Sequence, residues 1–459
     1  MGMYDVRIAV KDTADGRELD KMELDLHRRA ARKEAKNRFI VPGLLTSEQI
    51  EKVKRAGFEV TIVADVSNVA ARRRAEVSQT NRFAKTLSAA AMLPQLFTGY
   101  LNVEEIETSL INLSKHHAAM ATLIELPNPS WEKRVSHAVR LGAGDEKDRP
   151  GVLFTGSMHA REWGGSDICV SFINSLVNAY EKKSALQIGP RVYKPGEIKQ
   201  IMEKIWIYVF PDVNPDGKQY SQSHDDPGDV DNQGTWWRKN RNPNGNSNPR
   251  HQGVDINRNF DFLWRSGLGT SADVSREIYK GPSPFSEPET RNVKHLFDSY
   301  PDIQYYVDIH SYSGLVLCAW GDDESQSTDP SQSFLNEAYD GKRGYKDGSA
   351  YGEYIPLSDD ILSLGIAGRM NEALAAVGET AYIVQQGIEL YPTTGTSSDY
   401  AYSRHMADPA KTKITAFTIE FGAKFIPEFS EMKQIIEQVN AAMTELCWIA
   451  SRKAVLRRR

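Results

Sequence analysis

Three stretches far apart in the chain, 205–210 (IWIYVF), 303–309 (IQYYVDI) and 414–419 (ITAFTI), are apolar runs without clean alternation. A strand with one face in water alternates polar and apolar residues, whereas a strand covered on both faces does not have to. Segments with helical spacing lie between these runs. Residues 103–117 repeat apolar positions at the helical period, 166–180 read as a buried helix, and 428–452 carry Met432, Ile435, Ile436, Val439, Met443 and Leu446 on one stripe. Helices alternating with doubly covered strands predict an α/β fold, with a mixed, mainly parallel central sheet flanked by helices. At 459 residues, 40% hydrophobic and 25% charged, the chain buries a core without needing disulfides or a structural metal to fold.

The first hundred residues read differently. Residues 4–10 (YDVRIAV) alternate like an edge or half-buried strand. Thr46 is a good N-cap, and Ile50, Val53 and Ala56 mark the apolar face of a helix that ends at Gly57. Residues 59–66 (EVTIVADV) are a second strand. The expectation is a small N-terminal α/β module, then a linker or exposed helix over 70–85. The run Arg72-Arg73-Arg74 reads as a solvated face, with a processing site as the lesser alternative. The predicted division is 1–95 for module and linker and 96–459 for a second domain. Two long polar stretches, 221–252 and 321–353, suggest insertions at a functional rim. The second holds eight acids (Asp322, Asp323, Glu324, Asp329, Glu337, Asp340, Asp347 and Glu353) and is expected to be a solvated loop, a calcium site or a barrier to acidic peptides being the alternatives.

Charge and hydropathy exclude some partners. The net charge is −5, from 56 basic and 61 acidic residues, which argues against nucleic acid. No run approaches 18 apolar residues, so no membrane-spanning helix is expected. Cys169, Cys318 and Cys447 are too scattered for a disulfide framework, and each is expected to be a buried thiol. Residues 1–10 lack a basic stretch followed by an apolar one. The expected location is the cytoplasm if the chain begins natively, and outside the cell if a signal segment has been removed. The pattern carries no information on oligomeric state.

Four groups of residues carry chemistry. His159 and Glu162 (HARE), directly after a short apolar strand at 152–154, share one face of a helical turn. With a third ligand from elsewhere they suit an open catalytic zinc site. By itself the pair also fits a surface histidine and a solvated glutamate. His310 ends the 303–309 strand and would face a cleft at the sheet's C-terminal edge, or else be a hydrogen-bonded core histidine. Glu420 ends the apolar strand around 417–419, where a carboxylate needs a partner, and a metal-bound water is one. Residues 255–259 (DINRN) combine a forked guanidinium with amide donors, a set suited to a carboxylate.

With these residues in view, the chain resembles the zinc carboxypeptidases of the carboxypeptidase A type. The motifs are HAREW (159–163), PDVNPDG (211–217), WRKNR (237–241), GVDINRNF (253–260), HSYS (310–313), YPTTGTSSDYAY (391–402) and FTIEFG (417–422), in the family's order. The resemblance runs from about Tyr100 to Trp448. It implies one zinc ion per chain, held by His159, Glu162 and His310, with Asp255 orienting the imidazole of His159. It implies Glu420 as the general base acting on the zinc-bound water, and Arg238 as the group that polarises the scissile carbonyl. Asn257 and Arg258 would clamp the substrate's terminal carboxylate, Tyr391 would close over it, Arg161 would line the next subsite, and Tyr312 and Ser311 would flank the cleft. The implied substrates are the C-termini of peptides and proteins.

The resemblance places Ser398 against the substrate's terminal side chain, where members that remove Lys or Arg carry a carboxylate. A serine there implies neutral, apolar or aromatic terminal residues, with Glu389 as a rival source of charge. Two other functions stay open: a zinc-dependent amidohydrolase of the same fold acting on cell-wall peptides or acylated amino acids, and a non-catalytic peptide-binding relative. Many members are made with a small α/β prosegment, so the N-terminal module is either that or a permanent accessory domain.

Overall fold

The structure, a computed structural model, describes residues 2–22, 24–84, 97–223, 233–245, 248, 251–344, 351–378, 380–388 and 391–456. An eight-stranded mixed sheet forms the centre. Its spatial order is Ile383–Gln386, Leu315–Cys318, Thr415–Phe421, Ile303–Ser311, Gly151–Gly156, Trp206–Phe210, His137–Leu141 and Ala121–Glu125. The four strands from Thr415–Phe421 to Trp206–Phe210 run parallel. The antiparallel pairings lie outside them.

The absence of alternation in these strands now has its cause. Along Ile303–Ser311, Tyr305, Val307 and Ile309 enter one hydrophobic cluster, and Ile303 and Tyr306 enter another on the opposite face. Val152 and Phe154 separate from Leu153 in the same way. Both faces are buried, so both sets are apolar. Helices Gly164–Glu181 and Phe429–Leu456 cover the first face, and the apolar stripe read at Met432, Ile435, Ile436, Val439, Met443 and Leu446 lies in that core. All three cysteines are buried and unpaired, as expected.

The N-terminal module is an antiparallel sheet in the order Asp25–Leu26, Arg38–Thr46, Met3–Val10 and Glu59–Asp65, with Arg32–Ala35 also paired to Arg38–Thr46. The predicted helix is Ser47–Arg55, and Thr46 caps it reciprocally: Gln49 N donates to Thr46 Oγ1 (3.2 Å) and Thr46 N to Gln49 Oε1 (2.8 Å). The central strand Arg38–Thr46 and the helix Thr13–Asp20 complete it.

Two sequence expectations need correction. Residues 67–74 form a helix (Ser67–Arg74) whose Arg73 is only 4% exposed and pairs with Glu76 (2.6 Å) and Glu428 (3.0 Å), so within the basic run Arg73 is docked while Arg72 stays exposed. In the acidic stretch, Asp322, Asp323 and Glu353 are buried, against the expectation of a solvated loop. The predicted boundary at 95/96 and Asp347 lie outside the described residues.

Candidate active site

Three adjacent parallel strands, Thr415–Phe421, Ile303–Ser311 and Gly151–Gly156, end on the same edge of the sheet. Each delivers part of the site there, where an open α/β sheet presents its ligands. His159 and Glu162 sit in the turn between Gly151–Gly156 and helix Gly164–Glu181. That turn is tight: a Cβ built on Gly165 would lie 2.9 Å from Ser157 N, so a glycine lets the helix press against the strand end. His310 is the penultimate residue of its strand, in register with Glu420 on the neighbour.

His159, Glu162 and His310 are buried, and their ligand atoms lie within 4.8 Å of one another. His159 Nδ1 is 2.8 Å from Glu162 Oε1, His310 Nδ1 is 2.8 Å from Glu162 Oε2, and the two Nδ1 atoms are 3.1 Å apart. Two imidazole nitrogens facing each other beside a carboxylate satisfy a shared cation better than they satisfy protons. The set of two histidines and one glutamate is that of an open catalytic zinc site. Burial alone would raise the Glu162 carboxyl, but His159 and then His310 hold it well below the usual carboxylate range, so it is ionised. Burial, followed by the nearby Arg238, pushes the His159 imidazole down and keeps it in its neutral, ligating form.

Behind these ligands stand two more carboxylates. Asp255 caps the short turn Ile256–Arg258, accepting from Asn257 N (3.1 Å), and lies 3.2 Å from His159 Nε2. Arg238 donates to it through Nε (3.1 Å) and pairs through Nη2 (3.0 Å), with Nη1 4.0 Å from Glu162 Oε1. That places Arg238 beside the three ligands. Asp308, which the sequence reading did not single out, lies 2.7 Å from His310 Nε2. Its position two residues before His310 on one strand was the available signal, since i and i+2 share a face.

The remaining predicted residues are brought to the same edge, with differences. Arg258 donates to Gly269 O (3.1 Å) and Asn257 O (2.6 Å). Asn257 is not turned outward: its Nδ2 lies 3.4 Å from Asp308 Oδ2 and 3.1 Å from His310 Nε2, while its Oδ1 accepts from Ser397 N (2.8 Å). Ser398 is buried beside Thr418, whose Oγ1 is 3.3 Å from its hydroxyl. Glu389 lies outside the described residues. Ser311 donates to Phe425 O (3.0 Å).

Arg161, Tyr312 and Tyr391 meet the N-terminal module. Arg161 makes a two-pronged pair with Asp25 (2.5 and 2.9 Å). The Tyr312 hydroxyl sits among His27 Nδ1 (2.9 Å), Arg7 Nη1 (3.3 Å) and Asp5 Oδ1 (3.3 Å). Tyr391 is buried in the module's apolar cluster with Val6, Leu26, Ala31 and Val41. What remains beside the three ligands is a cavity of about 40 Å³, lined from one side by Glu420 and Arg238 and from the other by Asp25 and His27.

Residues 106–442, well over half of the chain, match the family described as zinc carboxypeptidase. The chain belongs to the zinc carboxypeptidase family. It is 33% identical over 226 residues to carboxypeptidase B of Astacus astacus, covering 49% of this chain and 65% of that one. It is 28% identical over 274 residues to carboxypeptidase A4 of Mus musculus, covering 60% and 52%. The chain thus spans about half to two thirds of the length of these curated relatives. Among solved structures, thrombin activatable fibrinolysis inhibitor matches 98% of this chain and 100% of its own at a TM-score of 0.70 and 19% identity. Carboxypeptidase A from Helicoverpa armigera matches 98% of each chain, also at 0.70 and 19%. These two share the fold over nearly the whole chain, module included.

The family's metal is zinc, and the residues here fit it. Elemental analysis of the purified protein should find about one zinc per chain, and His310→Ala should lose it, because two ligands cannot hold what three do. Full zinc occupancy in His310→Ala would remove His310 from the ligand set. Among the described residues, no helix is long and apolar enough to cross a membrane.

Proposed function

We propose that this chain is a zinc-dependent exopeptidase that removes the C-terminal residue of peptides and proteins, and that the N-terminal module keeps it latent. The observation that carries the reading is Glu420 in register beside His310, with Arg258 on the same edge of the sheet. Zinc, when bound, supplies Lewis-acid polarisation and a more acidic water. Glu420 takes a proton from the attacking water and hands it to the leaving amine. Arg238, held in place by Asp255, donates to the oxygen that gains charge as the carbonyl is attacked. Arg258 grips the substrate's free carboxylate. Asn257 assists only after turning from Asp308, so the grip rests chiefly on Arg258. The presence of Glu420 favours an enzyme over a non-catalytic binder.

Two substrate comparisons test this reading. A charge-assisted bond to a desolvated carboxylate is worth roughly 2–5 kcal/mol. A peptide should therefore be cleaved far faster than its C-terminal amide, and equal rates would point to an endopeptidase or to the amidohydrolase alternative. Ser398 offers no countercharge, so a terminal Lys or Arg would be desolvated without a partner. Terminal Phe, Tyr, Leu or Met should be released about ten-fold or more faster, each gaining roughly 25 cal/mol per Å² buried. Matched peptides ending in Phe and Arg decide it. Faster release of Arg would overturn the neutral pocket and point to Glu389 as the source of the charge.

The latency half rests on what the module covers. It occupies Arg161, Tyr312 and Tyr391, three residues that a substrate would use. The activatable neighbour, whose fold matches through the module, supports the same reading. An inhibitory module removed by a protease suits a chain that acts after export, and nothing in the relatives' names supports the cytoplasm.

A further inference from the structure

The geometry points to Asp308 as a positioning residue for the metal site: it fixes the ring of His310 and ties that ligand to the terminal-carboxylate clamp and to the segment that carries Ser398. Asp308 is fully buried on the same face of its strand as His310. Its Oδ2 accepts from His310 Nε2 (2.7 Å), from Ser397 Oγ (2.6 Å) and from Asn257 Nδ2 (3.4 Å). Its Oδ1 accepts from Thr155 Oγ1 (2.9 Å), which in turn lies 2.7 Å from the Tyr306 hydroxyl. Because Asn257 Oδ1 is taken by Ser397 N–H, the 3.1 Å approach of Asn257 Nδ2 to His310 Nε2 is that of two donors converging on one oxygen.

The consequence for the histidine is specific. A proton held on Nε2 by Asp308 leaves the Nδ1 lone pair facing Glu162 and His159, which is where a metal ligand must offer it. A neutral acceptor would do this weakly. A carboxylate does it strongly and makes the imidazole a better donor to the metal. Asp255 shares its charge with Arg238, whereas among the described residues Asp308 is met by hydroxyls, an amide and His310. Its negative charge is therefore directed largely at the ligand.

The test uses the zinc-loaded full chain and no peptide substrate, so it stands or falls apart from the exopeptidase reading. Competition with a chelator gives the zinc dissociation constant of the unmodified protein, of Asp308→Asn and of Thr155→Val. Asp308→Asn keeps the shape and removes the charge, and zinc binding should weaken by about 10–100-fold. Thr155→Val disturbs the same network but keeps the carboxylate, and should stay within about threefold. Zinc held normally by Asp308→Asn, or an equal loss in Thr155→Val, would overturn the assignment. If Asp308→Asn does not fold, ¹⁵N-histidine spectra of the unmodified protein decide. The two histidines that respond to zinc should both carry their proton on Nε2, hydrogen-bonded and shifted downfield. A zinc-responsive histidine protonated on Nδ1 would refute the proposal.

Discussion

Glu420→Gln is expected to lower turnover by about 10²–10⁴ or more while leaving zinc bound. The two halves of that result separate two explanations for a dead enzyme. The candidate metal ligands come from the turn after Gly151–Gly156 and from the end of Ile303–Ser311, whereas Glu420 comes from the third strand, Thr415–Phe421. A glutamine fills the same space at the same register position, so neither His310 nor the strand pairing has cause to move. On the proposed mechanism, what is lost is the ability to take a proton from water and return it to the amine. The measurement is the rate of release of a terminal amino acid, taken alongside zinc stoichiometry. Near-normal turnover would remove Glu420 from the mechanism. Loss of zinc would mean that the substitution had acted through the metal site instead.

The site was legible in the sequence where a residue's chemistry conflicts with its surroundings. His310 and Glu420 stand at the ends of apolar strands, and a polar group there needs a reason. The structure places both at one sheet edge beside His159 and Glu162. Asp308 shows the limit of that reasoning. It sits inside the apolar run 303–309, where it reads as one more strand residue, and only the hydrogen bonds show that its partner is His310, a candidate metal ligand. Asn257 shows another limit, since its residue type suits a carboxylate but its direction does not follow from type.

The fold divides in the same way. Strands buried on both faces announce themselves by continuous apolar composition, and the capped helix Ser47–Arg55 by Thr46. The central strand of the module, Arg38–Thr46, contains Pro42 and Gly43, which weaken any strand signal, and its pairing with Met3–Val10 is fixed only by the tertiary partner. The docking of Arg73 was equally invisible, because an arginine run looks the same on a free surface and on one that meets Glu428. Long-range ion pairs leave no local pattern.

Asp25→Ala should release the enzyme without any cut in the chain. Asp25 is the module residue that grips Arg161 with both oxygens, at 2.5 and 2.9 Å, at a point where the arginine is nearly inaccessible. Removing one partner of a buried pair costs about 3–5 kcal/mol. If that weakens docking in full, the open fraction rises by about 10²–10⁴, limited by the activity of the fully open enzyme. The pH dependence follows with a definite sign. Burial would raise the Asp25 carboxyl above its ordinary 3.8, but Arg161 more than offsets this and holds it at about 2. The docked state therefore gains from the pair at every pH above about 4, and loses that gain as the pH falls toward 2. The contribution of Asp25 should be constant from neutral pH down to about 4, and Asp25→Ala should lack its loss below that. His27, which docking buries against Tyr312 and Phe425 with its imidazole held well below its ordinary range, should instead weaken latency in both proteins as the pH falls below about 6.5. The assay is the initial rate of the intact chain, with mass spectrometry confirming that the module is still attached. A wild-type chain already as active as one from which the module has been removed would make residues 1–95 a permanent accessory domain. An Asp25→Ala rate equal to that of a latent wild type would shift the inhibition to the seat of Tyr391 in the module's core.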